Sequence, residues 1–170
     1  AASSSLWAGN ALWALRKAAF LVSFLPLFLV FYAVCQSPRM QKRTLRALVI
    51  GATLAALVAL AQFGASLIFG IERVFLLWVH GVLPFFLGPA LGEMVASYPS
   101  LLVNITGQTI FRASGFFPDP HMAAFFFGMT LPFAVAFAWE SRGAPRMYWT
   151  LCVGVILLAD ILTFSRGGYA

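Results

Sequence analysis

Residues 111–126 read FRASGFFPDPHMAAFF, and they bring an arginine, an aspartate, a histidine, two prolines and a glycine together in an otherwise hydrocarbon-like chain. Polar chemistry concentrated directly ahead of a long apolar run marks a loop at a membrane surface feeding a transmembrane helix. Asp119 followed by Pro120 reads as a helix start, with the aspartate as N-cap and the proline at the first helical position. The helix is expected over 121–139.

The flanking sequence supplies the membrane context. Of 170 residues, 62% are hydrophobic and 9% charged, and the mean hydropathy is +0.92. Such a composition cannot cover a soluble domain with polar surface. The chain starts on Ala1 and stops at Ala170 without a polar tail, which reads as a single membrane domain, 1–170, cut from a longer protein and inactive alone. The net charge of +6 comes from basic residues lying between apolar runs, where they orient the chain in a bilayer, so nucleic acid is not an expected partner. Cys35 and Cys152 sit in or at the end of apolar runs and suggest neither a disulfide framework nor a metal site.

The expected fold class is all-α, a polytopic transmembrane protein with about four spanning helices plus a re-entrant or interfacial segment. The helices are placed at 18–35, 45–70, 121–139 and 147–164. Between the first two lies QSPRMQKRTLR, a loop-like cluster holding Arg39, Lys42, Arg43 and Arg46 without an acid, the strongest cytoplasmic marker in the chain. Residues 74–91 are long enough to span, but His80, Gly81, Pro84, Gly88 and Pro89 interrupt them. Charge parity decides against a crossing: if 74–91 is re-entrant or interfacial, Arg142 and Arg146 return to the cytoplasm and the whole segment 71–120 stays outside. Ser114 is then expected to be accessible from outside and Ser141 not. Gln62, a polar residue within the second helix, reads as bonded to a neighbouring helix. Asp160 reads as the partner of an arginine near the interface.

In this arrangement the 111–126 loop and the segment after 147–164 meet at one face. Arg112, near a helix start, suits an anion. Arg166 serves either function or the end of its helix. Asp119 serves first as a cap. His121 is the one titratable group there that can exchange a proton near neutrality, and it reads equally as a polar interface residue.

FRASGFFPDPHMAAFF and the later LTFSRGGY together resemble the O-antigen ligase superfamily, which includes O-antigen polymerases and bacterial O-linked protein oligosaccharyltransferases. The first resembles the family's Arg-x-x-Gly-x-Phe-x-(Asn/Asp)-Pro-(Asn/His) loop, and the second its Thr-x-Ser-Arg-Gly segment one helical hairpin later. Residues 105–170 carry the resemblance; residues 1–104 match only as generic membrane helices. It implies a glycosyltransferase without metal or other cofactor, taking a glycan from undecaprenyl diphosphate to a lipid, glycan or protein acceptor at the periplasmic face of the bacterial inner membrane. It further implies that Arg112 and Arg166 hold the diphosphate, that Asp119, Ser165 and Gly167 support them, and that His121, standing where asparagine is common, takes part in catalysis. A polytopic transporter or lipid flippase is the alternative, since it too would carry Gly/Pro-broken helices and intramembrane charges.

Overall fold

A computed structural model describes residues 11–97 and 99–165. Its architecture is helical, and four of its described helical stretches are long and apolar enough to cross a membrane: Ala18–Cys35, Pro38–Phe69, Pro120–Glu140 and Ala144–Ile161. The all-α polytopic expectation therefore holds. The chain divides into two compact units, Ala1–Arg46 and Ala47–Ala170.

In the first unit, α1 (Ala11–Val22) and α2 (Phe24–Cys35) form the first apolar stretch, interrupted at Ser23. Pro26 lacks the N–H that would bond the Val22 carbonyl, so the helix breaks there, and the Ser23 hydroxyl turns back to the Phe20 carbonyl at 2.6 Å. None of the residues in the Ala18–Cys35 stretch is buried within the protein.

The basic cluster is not a loop, as the sequence suggested. It forms the opening turns of α3 (Pro38–Phe69), and only Gln36 and Ser37 separate α2 from α3. Pro38 explains the correction, because a proline at the first helical position starts a helix whatever charges follow. At 1.5 Å per residue the 32-residue helix is about 48 Å long. It exceeds a hydrocarbon core of about 30 Å, so α3 carries its basic turns beyond the apolar part.

The second unit builds the site. After Gly70, at φ +89°, come α4 (Ile71–Leu77), a π-helical turn over Trp78–Val82, α5 (Leu83–Leu87) and α6 (Pro89–Ser97). The wide turn has a local cause: Pro84 cannot donate to the His80 carbonyl, and the preceding Leu83 N–H bonds Trp78 five residues back. At Gly88, φ +84°, the chain folds back. A Cβ on Gly92 would then lie 2.8 Å from Pro84 Cγ, which shows how closely α6 packs on α5. No helix between 71 and 97 is among the four candidate spans, in keeping with the parity argument.

A β-hairpin was not expected within 71–120. Strands β1 (Leu102–Ile105) and β2 (Gln108–Phe111) pair antiparallel, with Ile105 opposite Gln108. Thr106 and Gly107 both take positive φ, 52° and 86°, the requirement of the two-residue turn whose twist matches the strands. Phe111 and Leu101 are fully buried with Val74, Val79, Leu83 and Val95, so the hairpin is anchored by its root while its tip is exposed.

Helices α7 (Pro120–Glu140) and α8 (Ala144–Ile161) pack as an antiparallel hairpin. Their buried residues mix small side chains, Ala123, Ala124 and Ala134 on α7 and Cys152 and Ala159 on α8, which permit close approach, with larger ones such as Phe127, Trp149 and Ile156. Phe137 and Trp149 stack at 5.0 Å near the connection. The expected boundary at 164 moves back to Ile161 because Phe164 takes a left-handed φ of 49° and the Thr163 hydroxyl bonds the Asp160 carbonyl at 2.6 Å.

This topology predicts that single cysteines at Thr106 and Arg142, in a Cys35→Ser, Cys152→Ala background, react with an impermeant thiol reagent from opposite sides of the bilayer. Labelling of both from the same side would mean that α7 does not cross.

Candidate functional site

Residues 112–115 are extended or turn-like backbone, and all four are buried. They lie against α3 beside Gln62, seven residues short of its end at Phe69, or about 10 Å inside the helix terminus. Main chain at such depth has no water to bond and is tolerated only where the protein supplies partners. Here it does so from three directions.

Gln62, 1% exposed, turns its amide oxygen to the N–H groups of Ser114 at 3.1 Å and Gly115 at 2.7 Å, and its amide nitrogen to the Ser114 hydroxyl at 3.3 Å. The indole N–H of Trp78 donates to the Gly115 carbonyl at 2.9 Å. Ala113 N–H donates to the Leu162 carbonyl at 3.0 Å, and Arg112 N–H to that of Leu101 at 2.8 Å. Gly115 is required twice over: its φ is +57°, and a Cβ would lie 3.2 Å from the Ala55 carbonyl oxygen and 3.3 Å from Ala59 Cβ. The loop thus rests on α3 at the Ala55 carbonyl and at Ala59, which continues a run of buried small residues from Ala52 and Ala56.

The sequence reading is corrected in two respects. Gln62 is indeed structural, but it bonds a loop rather than a helix. Ser114 is fully buried and is no marker of outer accessibility.

Arg112 is 7% exposed. Its Nε donates to the Thr163 carbonyl at 2.6 Å, Nη1 to Ser100 at 3.1 Å and Nη2 to Phe164 at 3.2 Å. Two of these oxygens belong to the turn that ends α8, the negative pole of that helix, so the cation completes the helix end electrostatically as well as by hydrogen bonding. At least three of its five N–H groups therefore face main-chain oxygens, and the diphosphate role expected of Arg112 has to compete with that grip.

Asp119 is the N-cap of α7: with extended φ/ψ of −139° and 134°, it accepts the His121 N–H at 2.6 Å. His121 follows on the first turn, exposed, with its ring Nδ1 2.7 Å from the Ser165 hydroxyl. The structure thus joins His121 of the first motif to Ser165 of the second, across 44 residues of sequence. Phe117 packs on Phe126 and Phe127 at 5.3 and 6.1 Å, and Phe116 on Phe86 at 4.4 Å, which fixes the loop between Gly115 and the cap. Arg166 and Gly167 lie outside the described residues.

Asp160, 6% exposed on α8, has no hydrogen-bond partner for Oδ1 among the described residues. Sequence reasoning also passed over Trp78 and Thr163. Gln62 was detectable in principle, since it continues the helical stripe of Ala52, Ala56 and Ala59 at spacings of three and four.

Comparison with known protein families, with curated proteins and with solved structures finds no match to this chain.

Gln62→Leu should strand two buried N–H groups and cost about 2–6 kcal/mol, at roughly 1–3 for each. Ser66→Ala, which loses only a bond to Phe63 in its own helix, should cost little. Denaturant titration of the reconstituted chain measures both; equal losses would show that the Gln62 contacts do not hold the loop.

Proposed function

We propose that the chain is the core of a membrane-embedded glycosyltransferase of O-antigen ligase type, moving a glycan from undecaprenyl diphosphate to a lipid, glycan or protein acceptor at the outer face of the bacterial cytoplasmic membrane. The observation that carries this reading is the convergence of its two polar motifs, joined by the His121–Ser165 bond and by the Arg112 grip on the end of α8. The positive-inside rule supports the sidedness. With Arg39, Lys42, Arg43 and Arg46 at the cytoplasmic end of α3, and Arg142 and Arg146 cytoplasmic between α7 and α8, the His121 end faces outward.

In the proposed reaction an acceptor hydroxyl attacks the anomeric carbon and releases its proton to water at the membrane surface, while the bond from that carbon to the diphosphate oxygen breaks and lipid diphosphate leaves carrying the electron pair. Developing negative charge is best met by preorganised donors, and a guanidinium offers two parallel hydrogen bonds to phosphate oxygens. Arg166 is assigned that contact. Arg112, held by carbonyls of residues 163 and 164, positions the strand of chain leading to Arg166, and any direct contact with diphosphate is secondary to this. Asp119 caps α7 and so orients His121, and Gly167 is assigned a supporting role to Arg166.

The transporter or flippase alternative is favoured by one observation, the buried Asp160 Oδ1 within a candidate spanning helix, which has no hydrogen-bond partner among the described residues. Glycosyl transfer makes no use of that carboxyl.

In the full-length protein, with insertion checked for each variant, Arg166→Lys should reduce glycan transfer from a lipid-diphosphate donor at least tenfold, because it keeps the charge and loses the planar grip. His121→Asn should retain most transfer, and Asp160→Asn nearly all. Normal transfer by Arg166→Lys would return that residue to a membrane anchor, whereas loss of substrate flux in Asp160→Asn with no transfer detectable in any variant would favour transport.

A further inference from the structure

The hydrogen bond between His121 and Ser165 has a direction that the surroundings decide. Ser165 is 1% exposed, and its hydroxyl has a single hydrogen-bond partner among the described residues, the Nδ1 of His121 at 2.7 Å. The neighbouring Thr163 hydroxyl is already engaged, donating to the Asp160 carbonyl and accepting the Ser165 N–H. A hydroxyl carries one hydrogen and two lone pairs. If Nδ1–H donated to Ser165, the serine hydrogen would be left buried with no acceptor, and water cannot reach it. If Ser165 donates to Nδ1, its only hydrogen is used and only lone pairs remain bare, the lesser cost.

We infer that Ser165 is a positioning residue that fixes neutral His121 as the tautomer protonated on Nε2. The exposed edge of the ring then presents an N–H donor, and the lone pair a general base would need is turned inward and occupied. His121 is exposed, and its Nε2 has no partner among the described residues, so that N–H is available to a ligand. The chemistry it selects is an acceptor oxygen with high charge density, of which phosphate is the class suited to a group leaving as diphosphate. The ligand class rests on the glycosyl-transfer reading; the tautomer does not. On this assignment His121 stabilises the leaving group, and the proton of the attacking hydroxyl passes to water rather than to the imidazole.

The chain contains two histidines, so His80→Gln leaves a single imidazole to observe. With ring-labelled histidine in lipid bilayers, at a pH where the nitrogen-15 spectrum shows the neutral ring, the two shifts distinguish N–H from bare nitrogen. The expected result is a protonated Nε2 and a bare, hydrogen-bonded Nδ1. Ser165→Ala should give a mixture of tautomers, and Ser165→Thr, which restores a hydroxyl, should return the single form. A protonated Nδ1 in the parent, or an unchanged single tautomer in Ser165→Ala, would overturn the inference. Added inorganic diphosphate should shift Nε2 more than Nδ1; no shift at saturating diphosphate would overturn the ligand class and leave the tautomer standing. Neither arm reads glycan transfer, so the failure of either is separable from failure of the proposed reaction.

Discussion

The bonding of residues 112–115 to Gln62 on one side and to the end of α8 on the other is the constraint on which the rest of the second unit depends. Extended backbone placed about 10 Å inside the end of a membrane helix exposes N–H and C=O groups that lipid cannot satisfy, each costing several kcal/mol if left bare. Gln62, Trp78, Leu101 and Leu162 between them engage the N–H groups of residues 112–115 and the Gly115 carbonyl. With those partners in place, the loop is as fixed as a helix, and α7 starts from a defined point.

Arg112 shows how magnitude separates two roles for one side chain. A buried guanidinium costs several kcal/mol to desolvate, and hydrogen bonds to a charged group return about 1.5–3 kcal/mol each. Three carbonyls, two of them at a helix end whose dipole already favours a cation, are enough to hold it in place. Contact with a phosphate would have to displace part of that set. Arg112 is therefore first a structural cation that ties the main chain of residues 100, 163 and 164 together.

Much of this was legible in the sequence, and the failures have physical causes. The spanning helices follow from apolar length, the interrupted segment from its glycines and prolines, and the Asp119 cap from its proline neighbour. The convergence of the two motifs follows from one antiparallel hairpin between them. The β-hairpin was missed because its strands are four residues each and its Thr106–Gly107 turn is a weaker signal than an Asn-Gly pair. The basic run was taken for a loop because charge was weighed above Pro38. Ser114 was misplaced because a polar side chain was read as a wet one, whereas its hydroxyl and N–H both face Gln62. The partner of a buried polar group is a property of tertiary packing, and one sequence does not carry it.

Polar satisfaction, not apolar burial, selects this arrangement. On α3 the buried residues are Val49, Ala52, Ala56, Ala59, Gln62 and Ser66, while Leu54, Leu57 and Leu67 are 59%, 48% and 69% exposed. In water that distribution would be inside out. In a bilayer, lipid tails are as apolar as leucine, so large side chains gain little by turning inward, and close backbone approach and hydrogen bonding decide which faces meet. Small residues supply the approach, and Gln62 supplies the bonds. A polar contact also closes the open end of the α7–α8 hairpin, where the His121–Ser165 hydrogen bond joins its two arms. A leucine at Ala59 would leave the hydropathy of α3 almost unchanged, yet it would unseat Gly115, whose built Cβ position already lies 3.3 Å from the alanine methyl. The fold at this end is specified by the few positions where a methyl or an amide touches backbone, and those positions also hold the site.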